Sequence, residues 1–141
     1  MKRVIAILSI AMLCMASSAS ADVLADRVAG VWLVQKKDGK FDIRRCGESL
    51  CGKLIWGKTI ADPDKKNKNP DLRRRALNSF MMLQGYKLSE DGDRWVDGQI
   101  YNPEDGNSYR SILEPGPDDT LKVKGCLGPF CQTQIWTRSA P

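Results

Sequence analysis

The feature that most constrains this chain is a succession of short runs in which apolar and polar residues alternate, broken by Gly, Pro, Asn and Asp about every 8 to 12 residues. Successive side chains of an extended chain point to opposite sides, so such alternation predicts strands with one buried face. The runs are Val31 to Gln35, Phe41 to Cys46, Cys51 to Trp56, Met81 to Leu88, Arg94 to Tyr101, Ser108 to Glu114, Thr120 to Cys126 and Gln132 to Arg138. Turn pairs at Asp38-Gly39, Asp91-Gly92 and Asp105-Gly106, and the segment Pro115-Gly116-Pro117-Asp118-Asp119, separate them. Asp97-Gly98 falls inside a run, where Gly marks a bulge rather than a turn.

Strands in mostly short-loop succession lead to an all-β fold, an antiparallel up-and-down barrel of about eight strands that leaves no exposed edge once it closes. A two-sheet sandwich is the alternative. One short helical turn is expected over Asp22 to Ala29, before the first strand, and a further turn around Asp71 to Asn78.

At the amino terminus, Lys2 and Arg3 precede the apolar stretch Val4 to Met15, followed by Ala16-Ser17-Ser18-Ala19-Ser20-Ala21. That order predicts a cleaved signal peptide over residues 1–21, with Ala19-Ser20-Ala21 as the cleavage site and Asp22 as the mature terminus. The apolar stretch is shorter than the roughly 20 residues needed to span a bilayer. Cys14 follows Leu13 rather than the small residue of a lipid-attachment site, so it belongs to the discarded segment. The whole chain has 22 basic and 17 acidic side chains; losing Lys2 and Arg3 leaves 20 basic and a formal charge of +3. The remaining residues 22–141 suit a single domain, small enough to benefit from covalent staples. A periplasmic or secreted location follows.

Outside the cytoplasm, cysteines in even number imply disulfides. Four remain, in Cys46-Gly-Glu-Ser-Leu-Cys51 and Cys126-Leu-Gly-Pro-Phe-Cys131. Of three connectivities, local pairing is favoured: each pair brackets a short turn-like segment between two strands, placing its cysteines across the mouth of a hairpin. Closing so short a loop gains only about 2 kcal/mol, so the bridges chiefly fix register.

Gly30-Val31-Trp32, Cys51-Gly52-Lys53-Leu54-Ile55-Trp56, Asn69-Pro70-Asp71-Leu72-Arg73, the segment Tyr101 to Tyr109 and the closing Gln134-Ile135-Trp136-Thr137-Arg138 together resemble a family of small secreted bacterial proteins catalogued as domain of unknown function 2147. The resemblance covers nearly all of the mature chain and implies a lipocalin-like (calycin) barrel. It also implies a structural pair, Trp32 at the closed end beneath Arg138 of the last strand. The sequence departs from the family pattern at Arg75-Ala76-Leu77-Asn78-Ser79, where Pro and Gly are usual.

Catalysis finds little support. The chain has no histidine, hence neither the commonest general base nor the nitrogen ligands of most zinc sites, and it has no Gly-rich phosphate loop. No enzyme activity, cofactor or metal is expected. Asp62-Pro-Asp64-Lys-Lys-Asn67-Lys-Asn69-Pro-Asp71 resembles a calcium loop only loosely, because lysines occupy ligand places. The basic residues Lys65, Lys66, Lys68, Arg73, Arg74 and Arg75 read either as a solvated loop or as a contact for an anionic partner at the barrel mouth. Few aromatics interleave them, which argues against nucleic acid.

Alternation directs Phe41, Ile43, Leu54, Trp56, Leu121 and Val123 inward, with Tyr109 less clearly so. Barrels of eight strands are either filled or hold one small ligand. The expectation is a carrier of a small apolar or amphipathic molecule, lined by those seven residues with Trp56 near the ligand and the basic loop at the entrance. The alternative is a structural or protein-interaction barrel of the cell envelope, such as an inhibitor or assembly factor.

Overall fold

The structure, a computed structural model, describes residues 18–141. Most of the expected signal peptide, including Cys14, lies outside the described residues. Eight antiparallel strands form one closed barrel in sequence order: β1 (Gly30–Leu33), β2 (Gly39–Cys46), β3 (Ser49–Gly57), β4 (Met81–Leu88), β5 (Trp95–Asn102), β6 (Asn107–Pro115), β7 (Thr120–Leu127) and β8 (Phe130–Arg138). Each follows an expected run. The helix α1 (Ser18–Val28) is longer than expected and takes in the residues of the expected cleavage site. Among the described residues no helix is long and apolar enough to cross a membrane.

Because the strands alternate in direction, the connections sort to two ends. At the lower end lie α1 and the turns at 47–48, 89–94 and 116–119. The turns at 34–38, 103–106 and 128–129 and the long segment 58–80 lie at the upper end. That segment contains single turns of 3-10 helix at Pro70–Leu72 and Leu77–Ser79, where one broader turn was expected.

The lower half is sealed by its own sequence. Leu24, Ala25 and Val28 bring one face of α1 into the core, and the buried Trp32 donates from Nε1 to the Val28 carbonyl at 2.8 Å. The Arg138 guanidinium lies 4.1 Å from the Trp32 ring centroid. It also donates to the carbonyls of Ala29 at 2.6 Å and Arg27 at 2.8 Å, capping carbonyls that the end of α1 leaves unsatisfied. Trp32 and Arg138 therefore tie the first strand, the last strand and the helix together. Arg138→Ala should lower stability by about 1 to 2 kcal/mol, and Arg138→Lys should recover only part of it, because an ammonium lacks the planar fork. Urea denaturation checks this; equal stability of Arg138→Ala and the parent would contradict it.

Above that floor, Ile43, Leu50, Leu83, Tyr86, Trp95, Leu113, Leu121, Val123 and Trp136 fill the barrel. The Tyr86 ring crosses the interior over Gly98, which sits beside the expected bulge: the β5–β6 register shifts between Trp95 and Gly98, and Asp97 has φ of 57°. A Cβ on Gly98 would lie 2.2 Å from the Tyr86 ring.

Both disulfides are local, compatible with an exported protein. Cys126 and Cys131 are directly opposed across the β7–β8 hairpin, with Cα atoms 4.0 Å apart. Cys46 and Cys51 are not opposed: Cys46 faces Ser49, Cys51 faces Arg44, and the bridge runs diagonally over a Cα separation of 5.8 Å. The hairpin there turns at Gly47-Glu48, inside the bracket, which sets the cysteines off register.

Candidate functional site

The interior is only partly covered at its upper end, where Leu77, Ile60 and Phe80 of segment 58–80 pack on the core. On β6, Tyr109 pairs with Ile100, and on β8, Gln132 and Gln134 pair with Gly125 and Val123, so all of these stand in phase with the core. Ile100, Tyr109 and Gly125 are nevertheless only half-buried, and Gln132 and Gln134 are exposed. Phe41, also half-buried, stacks on Trp136 with centroids 5.1 Å apart, and the Trp136 Nε1 donates to Gln134 Oε1 at 2.9 Å. These incompletely buried inward residues are the candidate site, an upper cup with the Phe41–Trp136 pair toward its base and the glutamines on its β8 side.

The wall is open at the side. Of β1, only Trp32 and Leu33 pair with β8, through Arg138 and Thr137, and β1 then leaves the sheet. The Gln35 side chain accepts from the Ile135 amide at 2.7 Å and ends the seam.

The structure divides the seven residues that alternation directed inward. Phe41 and Tyr109 reach the cup. Ile43, Leu54, Leu121 and Val123 point inward but are buried by core neighbours, so they support the cup without lining it. Trp56 points outward and is 49% exposed. The reason is a bulge: Lys40 pairs with Trp56 and Phe41 with Leu54, so β3 advances two residues while β2 advances one. One extra residue reverses the side-chain phase beyond it. Trp56 lies under the Lys40 ammonium, 5.5 Å from its ring centroid, on the outer face. Ile100, Gln132 and Gln134 were missed; the phase of the glutamines with Trp136 was visible in the sequence, but their exposure was not.

Segment 58–80 lies at the upper end, and its Lys66 carbonyl packs against Gly106 of the β5–β6 turn so closely that a Cβ there would fall 1.8 Å from the oxygen. Its anchor is Asp64, 1% exposed. Tyr101 donates to Asp64 Oδ1 at 2.5 Å, while Asn67 Nδ2 and Arg75 Nε donate to Oδ2 at 2.8 and 3.1 Å. The Arg75 guanidinium also lies 3.3 Å from the Phe80 ring centroid. Arg75 is thus a structural cation, contrary to its place in the basic group. Arg73 is partly engaged through Nε on the Asn67 carbonyl at 2.8 Å, while Lys65, Lys66, Lys68, Arg73 and Arg74 are exposed. At the rim, Tyr109 donates to Asp105; that bond holds the carboxyl below its ordinary range and the phenol above its own.

Two clefts lie elsewhere. One of about 630 Å³ runs along Asp42, Arg44, Lys53, Ile55, Ile60 and Met81; one of about 470 Å³ lies beside Arg75, Phe80 and Tyr101. The first takes in Leu54 and no other residue of the expected ligand set.

The sequence profile of the uncharacterized proteins conserved in bacteria, domain of unknown function 2147, matches residues 30–138, from the first strand to the arginine over Trp32. The chain belongs to this family. The match spans every strand of the barrel and takes in segment 58–80, which Arg75 of this DUF2147 member holds through Asp64. Among solved structures the DUF2147 chain is similar to one described as "Protein HP1028 from the human pathogen Helicobacter pylori belongs to the lipocalin family", with TM-score 0.71, 21% identity, and 79% of this chain and 82% of that chain covered. That likeness shows the lipocalin-like fold. No curated protein matches the chain.

Proposed function

We propose that this protein is an exported binding barrel, periplasmic or secreted, that holds a small amphipathic molecule in the upper cup and does no chemistry on it. The observation that carries the reading is the contrast between the sealed lower half and the accessible inward residues above it, Phe41, Ile100 and Tyr109 with Gln132 and Gln134. The apolar part of a ligand would lie on the Phe41–Trp136 stack, its polar part against the glutamines, and Lys65, Lys66 and Lys68 at the same end suit an anionic group. A fold shared with lipocalins adds analogy only, since function resides in the site. The second reading, an interaction barrel of the envelope, is supported by the apolar tip of the β7–β8 hairpin, where Leu127 is 72% and Phe130 81% exposed.

Calorimetry on delipidated protein, titrated with fatty acids and lysophospholipids, tests the first reading. Phe41→Leu should weaken binding by about 5- to 10-fold, roughly 1 to 1.4 kcal/mol. Trp56→Ala should leave it within about twofold, because its ring is outside the barrel. No heat with any probe, and no small molecule in native mass spectra of protein taken from its host, would dismiss the carrier.

A further inference from the structure

The geometry points to a second binding surface, the upper edge of β8, which pairs with the same edge of a second copy of this chain. In the sheet, neighbouring residues of β8 direct their amides to opposite sides. The Ile135 amide bonds Gln35 and the Ser139 amide bonds the Val31 carbonyl at 2.9 Å, so the odd-numbered amides face away from β7. Cys131 and Thr133 therefore present their N–H and C=O groups to the gap that β1 vacates after Leu33. From Cys131 to Ile135 every residue is exposed, on both faces of the strand.

An open edge of this kind is normally blocked by charge, proline or a bulge, because it templates pairing with another chain. None is present on this one. In a chain with 28% charged residues, no charged side chain occurs from Gly125 to Thr137. The β7–β8 register is unbroken from Thr120↔Thr137 to Leu127↔Phe130, so no bulge turns the edge away. Leu127, Phe130 and Ile135, exposed at 72, 81 and 40%, flank it with apolar surface.

The occupant that fits these properties without any further chemistry is a second copy. Antiparallel pairing about a two-fold axis near Gln132 brings Cys131 of each copy opposite Thr133 of the other, and both residues carry the free groups that such a pair exchanges. The stretch itself is neutral, and Lys124, opposite Thr133 on β7, is paired with Glu114 at 3.5 Å, so the nearest cation on that strand is balanced, and the Cys126–Cys131 disulfide holds the hairpin rigid for the encounter. The contact is short, which places it among weak, concentration-dependent dimers.

Analytical ultracentrifugation of the disulfide-intact protein, from micromolar to sub-millimolar concentration, together with amide hydrogen exchange, tests this. The expected result is a monomer–dimer equilibrium in which the Cys131 and Thr133 amides gain protection as concentration rises. Thr133→Pro removes an N–H that bonds nothing within the barrel, so the variant should keep its circular dichroism spectrum and thermal midpoint while its dimer dissociation constant rises at least about tenfold. Thr133→Val, which keeps the N–H, should dimerise like the parent. A protein that stays monomeric at the highest concentration with both amides exchanging freely overturns the inference and leaves the edge to a segment of some other protein. A dimer that survives Thr133→Pro in a folded protein overturns it too, by placing the interface elsewhere.

Discussion

Gly98→Ala is expected to destabilise the barrel by about 3 kcal/mol, at the upper end of what overpacking one methyl into a core costs. The added Cβ would lie 2.2 and 2.3 Å from Cδ1 and Cε1 of Tyr86, where atoms cannot approach, and Tyr86 is fully buried. Its ring cannot swing into solvent, because Leu50 is paired beside it and Leu83 and Leu113 are fully buried in the same core. The strain must therefore move β5 or push the ring off its rotamer. Coupling identifies the cause. Tyr86→Leu alone should cost about 2 to 3 kcal/mol through lost contacts and a residual void. Combined with Gly98→Ala, the loss should fall short of the sum by about 1 to 2 kcal/mol, since the shorter side chain makes room for the methyl. Denaturant unfolding of the four proteins measures this. A Gly98→Ala protein within about 0.5 kcal/mol of the parent, or strict additivity, would show that Tyr86 does not hold that position.

The same residue illustrates what could be read before the structure. A Gly inside an alternating run pointed to the bulge at Asp97-Gly98, and the turn spacing pointed to all eight strands, because both depend on local chemistry that a few residues specify. Cys126 facing Cys131 was legible for the same reason. The candidate site was legible only in part. Phe41 and Tyr109 follow from parity, but parity carries Trp56 to the wrong face because nothing in Leu54-Ile55-Trp56 announces the bulge opposite Lys40 and Phe41. The open wall of the cup depends on where β1 ends. Its run of apolar residues reads through to Gln35, yet pairing stops at Leu33, and only that early exit exposes Gln132, Thr133 and Gln134. Whether an inward residue is covered is decided by side chains far away in sequence, such as Tyr86 or the α1 leucine Leu24, and alternation carries no information about them.

Asp64→Ala should be the most damaging change in the upper half, costing about 3 kcal/mol and freeing segment 58–80 while the barrel stays folded. The carboxylate is buried and accepts from three donors, Tyr101, Asn67 and Arg75. Its removal leaves the Asn67 amide, 7% exposed, with only its longer bond to the Tyr101 oxygen at 3.2 Å; Arg75 is less penalised, because part of its guanidinium reaches solvent. Asp64→Asn keeps one acceptor oxygen and should cost roughly half as much. The consequence is local, so trypsin should cut at Lys65, Lys66 or Arg73 much faster in Asp64→Ala, while far-ultraviolet circular dichroism retains the β spectrum. The anchor also has an expected alkaline limit. Burial, and next the bond to the Asp64 carboxylate, push the Tyr101 phenol up to about 12, above its ordinary value of 10.0. A pKa raised in the folded state stabilises fully below the unfolded value and is lost as pH climbs through the folded one. Tryptic cleavage within segment 58–80 should therefore stay slow through neutral pH. Tyrosine absorbance should show the Tyr101 phenolate forming only toward pH 12, with amide exchange of Asp64 and Asn67 accelerating over that same interval. If Asp64→Ala resists trypsin like the parent, or if Tyr101 ionises near its ordinary value in the folded protein, the segment is held by something other than this carboxylate.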